Sequence, residues 1–334
     1  MQYDPTMELK LTVAIPNYNG GENLRRAIES CKHIQLNADD YEILVVDNKS
    51  TDNSIQIVNG LKKEFTNIRL WENERNVGRI QNWNICLEKC KGKFLILLFT
   101  NDTISKENRI HEVIDILDSD ESISLAISAL VKRELDVEYV KKKYFDKSIK
   151  CPSFEFTEDS ITRGMFPFGT IESIIYRVGD IRISNSTFVE RLPINADEVF
   201  SYTMAIKRKH ILFNPHPQIV WDLTQNRFHG KMKFEDEFKE HIEAIEMIKN
   251  IGNLKINYGL LLTYRLVNLL KYSINANKKN SQVWRYLFSE MMTRRCFFTV
   301  DHILIKTLFE KLKNAKVDAD DVFFKNIISK CIVN

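Results

Sequence analysis

The sequence predicts an α/β fold, a doubly wound and mainly parallel sheet followed by a helical C-terminal region. Three observations predict it. Short apolar runs alternate with stretches of helical periodicity through the first hundred residues, and such alternation builds βαβ units with helices on both faces of a sheet. The loops after these runs gather Asn, Asp, Ser and Thr at the expected carboxyl ends of the strands, where sheets of this kind bind their ligands. Residues 235–334, by contrast, read as almost pure helix.

The elements follow in order. Leu11 to Ile15 is an apolar run ended by Pro16, the pattern of a buried strand. Glu22 to Cys31 sets Leu24, Ala27, Ile28 and Cys31 at helical spacing. Tyr41 to Val46 is a second strand, closed by the polar turn Asp47 to Asp52. Ser54 to Phe65 reads as a helix, Ile68 to Glu72 as a third strand, Val77 to Lys89 as a helix and the wholly apolar Phe94 to Phe99 as a fourth strand. From 105 to 150 the pattern weakens to a helix near Glu107 to Leu117 and an apolar run at Ile123 to Val131. The charged stretch Val131 to Lys150 then predicts an exposed excursion, and residues 164–180 return to Gly-rich and aromatic character.

Composition excludes several classes. The 334 residues are 44% hydrophobic and 28% charged, enough for a full core. With 11 Gly, 7 Pro and 20 Phe the chain is not collagen-like, mucin-like or disordered. Lys and Arg number 48 against 45 Asp and Glu, and the net charge of +3 does not point to nucleic acid. Six cysteines do not make a disulfide scaffold at this length; Cys86 and Cys90 lie one helical turn apart, and no second pair has metal-like spacing. A reducing compartment is expected. Met1 to Pro5 is polar and acidic where a secretion signal would be basic and then apolar. The best candidate span, Ile256 to Tyr272, is interrupted by Asn257, Arg265, Asn268 and Lys271, whereas a spanning helix needs ~20 mostly apolar residues. The expectation is a cytoplasmic protein. Its charge is uneven: residues 253–334 carry 14 Lys and Arg against 6 Asp and Glu, or +8, which leaves −5 for the rest. A basic, aromatic-bearing tail suits an anionic surface, here the inner face of the plasma membrane.

Two motifs stand at strand ends. Val13 to Asn19 ends an apolar strand in Pro16, which leaves the next backbone groups free to face a ligand, although a plain strand-to-loop junction has the same pattern. Val45 to Asp52 supplies Asp47, a carboxylate able to accept from a ribose hydroxyl or a pyrimidine N–H. Helix capping explains Asp52 well and Asp47 poorly. No GxGxxG follows either strand and no GxxxxGK[ST] occurs, so the Gly-rich devices that cradle phosphate are missing. A diphosphate at this edge needs a metal or basic side chains.

Val13-Ala-Ile-Pro-Asn-Tyr-Asn19, Val45-Val-Asp-Asn-Lys-Ser-Thr-Asp52, Asn73-Glu-Arg-Asn-Val-Gly78 and Gly92-Lys-Phe-Leu-Ile-Leu-Leu-Phe-Thr-Asn-Asp102 occur in the order and spacing that resemble a family 2 glycosyltransferase of GT-A fold. The resemblance covers the first 100 residues strongly and continues more weakly to about 230. It implies a GT-A domain at 1–232, with a nucleotide-sugar half at about 1–104 and an acceptor half at about 105–232, before the helical region 233–334. It implies transfer of a hexosyl or N-acetylhexosaminyl group from a nucleotide sugar, a UDP-sugar, with inversion at the anomeric carbon. The acceptor would be a saccharide or a polyprenyl-diphosphate-linked one, in bacterial surface polysaccharide synthesis.

On the same resemblance, Pro16, Asn17, Tyr18 and Asp47 would lie along the nucleoside. Asn76, Gly78, Arg79, Asn82 and Trp83 would border the nucleotide and its diphosphate. Family members commonly end the fourth strand in Asp-x-Asp-Asp, and this chain has Phe99-Thr-Asn-Asp102. Asn101 and Asp102 would therefore hold a divalent ion, Mn²⁺ or Mg²⁺, with one carboxylate fewer. Asp197-Glu198 matches the acidic pair that opens a helix beside the acceptor. Aligned without a gap, Glu198 takes the position of the base and Asp197 stands next to it; the alternative is that both favour a helix N-terminus through its dipole. Gln225 to Gly230 resembles the later Arg-x-x-His segment, where His229 would complete the metal shell or meet the diphosphate and Arg227 would pair with phosphate oxygens. Tyr176, Arg177 and Phe166 to Gly169 would line the acceptor side.

Two other readings are weighed. Asn101 in the metal motif suits a catalytically weak sugar-nucleotide-binding or scaffold protein, against which Asp197 and Glu198 speak. A nucleotidyltransferase would need a Gly-rich basic loop near the first strand, and none is present. In the tail, Leu260 to Tyr272 and Trp284 to Phe298, with Arg285, Arg294 and Arg295, suggest helical packing for the apolar positions and membrane contact for some basic ones.

Overall fold

A computed structural model describes residues 9–134, 137–142, 145–162, 170–222, 234–258 and 261. The first half alternates as the sequence predicts: β1 (Leu11–Asn17), α1 (Gly21–Ser30), β2 (Tyr41–Asp47), α2 (Ser54–Leu61), β3 (Ile68–Glu72), α3 (Arg79–Lys89) and β4 (Phe94–Leu97). There follow β5 (Thr103–Ile104), α4 (Ile110–Ser119), β6 (Ile123–Glu134), β7 (Val137–Lys142), β8 (Ile149–Pro152), α5 (Ser153–Thr162), β9 (Ile174–Arg177), α6 (Val178–Ser184), α7 (Ala196–Ala205), β10 (His210–Asp222) and α8 (Phe234–Gly252).

The strands join one sheet in the order β3-β2-β1-β4-β9-β6-β10-β5, with β7 on β6 and β8 on β10. β1, β2, β3 and β4 pair in parallel, as do β6 and β10. Strand β9 runs antiparallel to both β4 and β6 and joins the two halves.

The central parallel strands are mostly apolar because both faces are covered, their buried Thr12 and Glu42 being paired at 2.7 Å, and the two cores divide by the period of two. Ala14, Leu44, Val46, Leu95 and Leu97 pack with Trp83, Cys86 and Leu87 of α3 on one face. Val13, Ile15, Ile43, Val45 and Ile96 pack with Leu24 and Ile28 of α1, Ile57 of α2 and Ile114 of α4 on the other. At the amino end of the sheet the turn before β4 lies against β1. A side chain at Gly92 would meet the Leu11 carbonyl carbon and the Thr12 nitrogen at 2.5 Å, so the close approach requires glycine there.

Strand β1 runs on through Pro16 to Asn17. Pairing of β1 with β4 stops at Ala14 opposite Leu97, while pairing with β2 continues to Asn17 opposite Asp47. Pro16 therefore sits where no ladder bond is lost. The chain proceeds from β1 outward through β2 and β3 and then returns to place β4 on the other side of β1. The carboxyl ends of β1 and β4 thus flank the crevice that this topology leaves open.

Two expectations need correction. The stretch Val131 to Lys150 is not an excursion: β7 pairs with β6, β8 pairs with β10, and Phe145 and Ile149 are buried in the core. Its charge comes from a ribbon in which cross-strand pairs such as Arg133 Nε to Glu138 Oε1, at 3.1 Å, are satisfied at the surface. The acceptor-side placement of Tyr176 and Arg177 also fails. Both are buried in β9; the Tyr176 hydroxyl lies 2.9 Å from Ser201 Oγ, and Arg177 donates to the Ile123 and Asp120 carbonyls at 2.6 and 2.9 Å.

The described part of the C-terminal region is α8, and its Ala244, Ile245 and Ile248 share the core that holds Ala196, Val199 and Phe200 of α7. The rest of that region, with Lys271, Arg285, Arg294 and Arg295, lies outside the described residues. No helix among the described residues is long and apolar enough to cross a membrane. Cys31, Cys86 and Cys90 are buried free thiols. Cys151 is buried with Cys86 and Cys90 in one core.

Candidate active site

The carboxyl end of β2 is built on a buried carboxylate. Asp47 ends β2 at 2% exposure, and burying a charge there is costly unless donors surround it. Three do: Asn17 Nδ2 and Ser50 Oγ donate to Oδ1 at 2.7 and 2.6 Å, and the Ser50 N–H donates to Oδ2 at 2.8 Å. Ser50 arrives because Lys49 takes a left-handed conformation, φ 63°. Asn17 is buried as well, and its Oδ1 has no hydrogen-bond partner among the described residues. Pro16 is half-buried beside it, and Tyr18 stands 52% exposed at the rim.

A second network orders the loop before α3. Asn48 Nδ2 donates to Asn76 Oδ1 at 2.9 Å, and Asn48 Oδ1 accepts from the Val77 N–H at 2.9 Å. Asn73 Nδ2 bridges Asn48 Oδ1 and Asn82 Oδ1 at 3.2 and 2.8 Å, and Asn82 Nδ2 donates to the Val46 carbonyl at 3.1 Å. Asn82 is thus buried with its amide engaged inside the protein, while Asn76 and Gly78 are exposed. Gly78, at φ 85°, is the N-cap of α3, a conformation that favours glycine. Asn48 and Asn73 were not singled out from the sequence, since spacing does not tell which amides will meet.

Arg79 opens α3 and reaches across to the other half. Its Cζ lies 4.8 Å from the Trp83 ring, and its Nη2 donates to the Pro193 carbonyl just before α7. Burial lowers the guanidinium pKa, while the charges of Asp197 and Glu240 oppose that shift. Trp83 is stacked on Phe99 at 5.0 Å, beneath the strand-end loop. In that loop Asp102 is buried and accepts from the Asp222 N–H at 2.9 Å, and Asn101 is half-buried beside it. Arg227, His229 and Phe166 to Gly169 lie outside the described residues.

The acidic pair opens α7. Glu240 of α8 accepts at Oε1 from the Ile194 and Asn195 N–H groups, at 2.6 and 2.8 Å, and so caps the turn before the helix. Asp197 Oδ1 accepts from the Glu198 N–H at 3.0 Å. Burial first, and the Glu198 charge second, push the Asp197 carboxyl up to about 6. Glu198 is 7% exposed, and its Oε2 lies 3.0 Å from His241 Nδ1. Glu240 and His241 escaped sequence reading because neither belongs to a motif.

For a metal, the described residues offer one carboxylate, Asp102, and one amide oxygen, Asn101. No three of His, Cys, Asp and Glu come together among them. A pair of hard oxygens fits an ion such as Mg²⁺, which takes one or two protein ligands and completes its shell with substrate phosphates and water. A cavity of about 480 Å³ lies beside β5 and the β6–β7 hairpin, lined by Arg26, Lys32, His33, Lys106 and Arg133 among others, away from the acidic pair.

The family model for Glycosyl transferase family 2 matches residues 12–180, from β1 to the start of α6. The chain belongs to this family. Over 100 residues it is 31% identical to a poly(ribitol-phosphate) β-glucosyltransferase of Bacillus spizizenii, a match covering 30% of this chain and 16% of that protein. Over 197 residues it is 23% identical to the poly(ribitol-phosphate) β-N-acetylglucosaminyltransferase TarS of Staphylococcus aureus, covering 58% of this chain and 32% of the relative. These matches thus span a third or less of the relatives' own length. The fold is that of S. aureus TarS 1–349. The complex with UDP-GlcNAc superposes with TM-score 0.60 at 18% identity over 80% of this chain and 73% of that one. The UDP complex gives 0.63 at 15% identity over 96% and 90%. The GT-A fold expected of a family 2 glycosyltransferase is therefore present.

The raised Asp197 carboxyl has a consequence for stability. Its folded value of about 6 exceeds the ~3.9 of an unfolded aspartate, so the folded chain holds this proton more tightly. That contribution is complete below pH ~4 and is lost as pH rises through about 6. Asp197→Asn is expected to raise stability at pH 7–8 by ~1–2 kcal/mol and to flatten the decline between pH ~4 and ~6. Urea unfolding across that range checks it; parallel curves for the two proteins would contradict the shift.

Proposed function

We propose that this family 2 member is an inverting glycosyltransferase. It moves a hexosyl or N-acetylhexosaminyl group from a UDP-sugar to a hydroxyl of a saccharide or lipid-linked saccharide in bacterial surface polysaccharide synthesis. The observation that carries the reading is the meeting of the donor edge and the acidic pair: Arg79, at the start of α3, hydrogen-bonds Pro193 and faces Asp197 at the start of α7. The relatives' names favour a sugar nucleotide as donor and a poly(ribitol phosphate) chain as one acceptor class. The basic balance of residues 253–334 supports peripheral contact with an anionic membrane.

In this reading the nucleoside lies along Pro16, Asn17 and Tyr18, on the frame that Asp47 fixes. The acceptor oxygen attacks the anomeric carbon as the bond to the diphosphate breaks, and its proton passes to Glu198, with Asp197 beside it. A divalent ion, when bound, supplies charge neutralisation for the departing diphosphate, and Asn101 and Asp102 are the described residues that would hold it. Arg227 and His229 are assigned to the same task. The Asp197 and Glu198 carboxylates and the bonds that hold them favour this reading over a scaffold that only binds the nucleotide.

Glu198→Gln keeps the size and removes the basicity. It is expected to lower kcat by ~10²–10⁴-fold with UDP affinity nearly unchanged, and Asp197→Asn to do less. UDP release in steady state and UDP calorimetry measure the two. The reverse order would move the base to Asp197, and near-full turnover in both would make the pair structural.

Metal removal gives a separate test. EDTA should abolish transfer and Mn²⁺ or Mg²⁺ restore it, and Asn101→Asp should strengthen ion stimulation while Asp102→Ala removes it. Full activity in EDTA would leave the diphosphate to Arg79, Arg227 or His229.

A further inference from the structure

His241 lies on α8, in the region that the family match does not reach. Its Nδ1 is 3.0 Å from Glu198 Oε2 and 3.1 Å from Asn195 Oδ1. The amide of Asn195 is fixed by Glu240, whose Oε1 accepts from the Asn195 N–H at 2.8 Å and faces Asn195 Nδ2 at 3.4 Å. That orientation turns Asn195 Oδ1 toward the ring, so both neighbours of Nδ1 are acceptors. Nε2 is buried and has no hydrogen-bond partner among the described residues. A proton on Nε2 would be a buried donor without a partner, and it would leave Nδ1 with no proton to offer either oxygen, which is costly. The proton therefore belongs on Nδ1.

We infer that His241 is a positioning residue for Glu198: its Nδ1–H holds Oε2 and leaves Oε1 to meet the acceptor hydroxyl. This rests on the reading of Glu198 as the base. Glu198 has three rotatable bonds between its backbone and carboxyl carbon, and a base must stay within hydrogen-bond reach of the proton it takes. A donor on the far oxygen removes the carboxyl's freedom to swing without touching the substrate. The same ring atom also braces Asn195, the N-cap of α7, so the helix start and the base are fixed together. The C-terminal region thus contributes to the site through α8.

The inference is tested on the full chain in two ways. Long-range proton–nitrogen NMR of the imidazoles at neutral pH, with the His241 signal assigned by its loss in His241→Asn, should show a proton on Nδ1. An unprotonated Nδ1 would overturn the inference outright, because it cannot donate to Glu198. Turnover is followed with UDP-N-acetylglucosamine and poly(ribitol phosphate). His241→Phe should lower kcat by ~10–100-fold with KM for the nucleotide sugar within about twofold. His241→Asn, whose Nδ2 can replace the Nδ1 donor, should recover most of that loss. Combined with Glu198→Gln, His241→Phe should cost nothing further.

Equal losses in Phe and Asn variants of matched melting temperature would make His241 merely structural. A strong effect of Glu198→Gln with none from His241→Phe would remove this inference and keep the base. Full turnover in Glu198→Gln would instead remove the base itself.

Discussion

The buried carboxylate of Asp47 is the constraint on which the carboxyl edge of β1 and β2 depends. Its charge is tolerated because Asn17 and Ser50 surround it, and in doing so they tie the end of β1 to the turn after β2. The next residue, Asn48, holds Asn76 and Val77 in place, which sets where α3 begins. Arg79 at that start then reaches the loop before α7. A contiguous series of polar contacts therefore leads from the end of β1 to the loop before the acidic pair. Every link but Arg79 is a short side chain with a defined partner, the kind of support that keeps reacting groups within a fraction of an ångström.

The opposite wall is held from outside the matched domain. Glu240 satisfies the backbone N–H groups ahead of α7, which would otherwise be orphans of a helix start. His241 and Asn195 brace the same turn. The carboxylates of α7 thus combine two environments: Glu198 Oε2 lies 3.0 Å from His241 Nδ1, while Asp197 is pushed up to about 6 by burial and its neighbour's charge. A carboxyl raised by burial and a neighbouring charge is a frequent mark of an acid–base site.

The first half of the fold is legible in the sequence because strands buried on both faces need apolar runs, and Val13 to Ile15, Ile43 to Val46 and Phe94 to Leu97 supply them. It misled where local composition and tertiary placement part company. Charge between Val131 and Lys150 hid a hairpin and a strand held by Phe145 and Ile149, since two buried aromatics or aliphatics leave little periodic signal. Tyr176 and Arg177 look like ligand contacts in sequence, yet the arginine serves backbone carbonyls inside the sheet. Among candidate site residues, the strand-end positions Asn17, Asp47 and Asp102 were readable from topology. The partners of Asn82 and the roles of Glu240 and His241 were not, because they depend on which amides and helices meet across long sequence separations.

The proposed function requires nucleotide to bind at the carboxyl ends of β1, β2 and β3, on the frame anchored by Asp47 and facing α7. Amide hydrogen exchange with and without saturating UDP tests it most directly. Residues 17–20, 47–51 and 76–82 should gain protection together, with a weaker gain at the start of α7. Protection confined to the cavity around Arg26 and Lys106, with those three segments unchanged while calorimetry shows UDP bound, would contradict it.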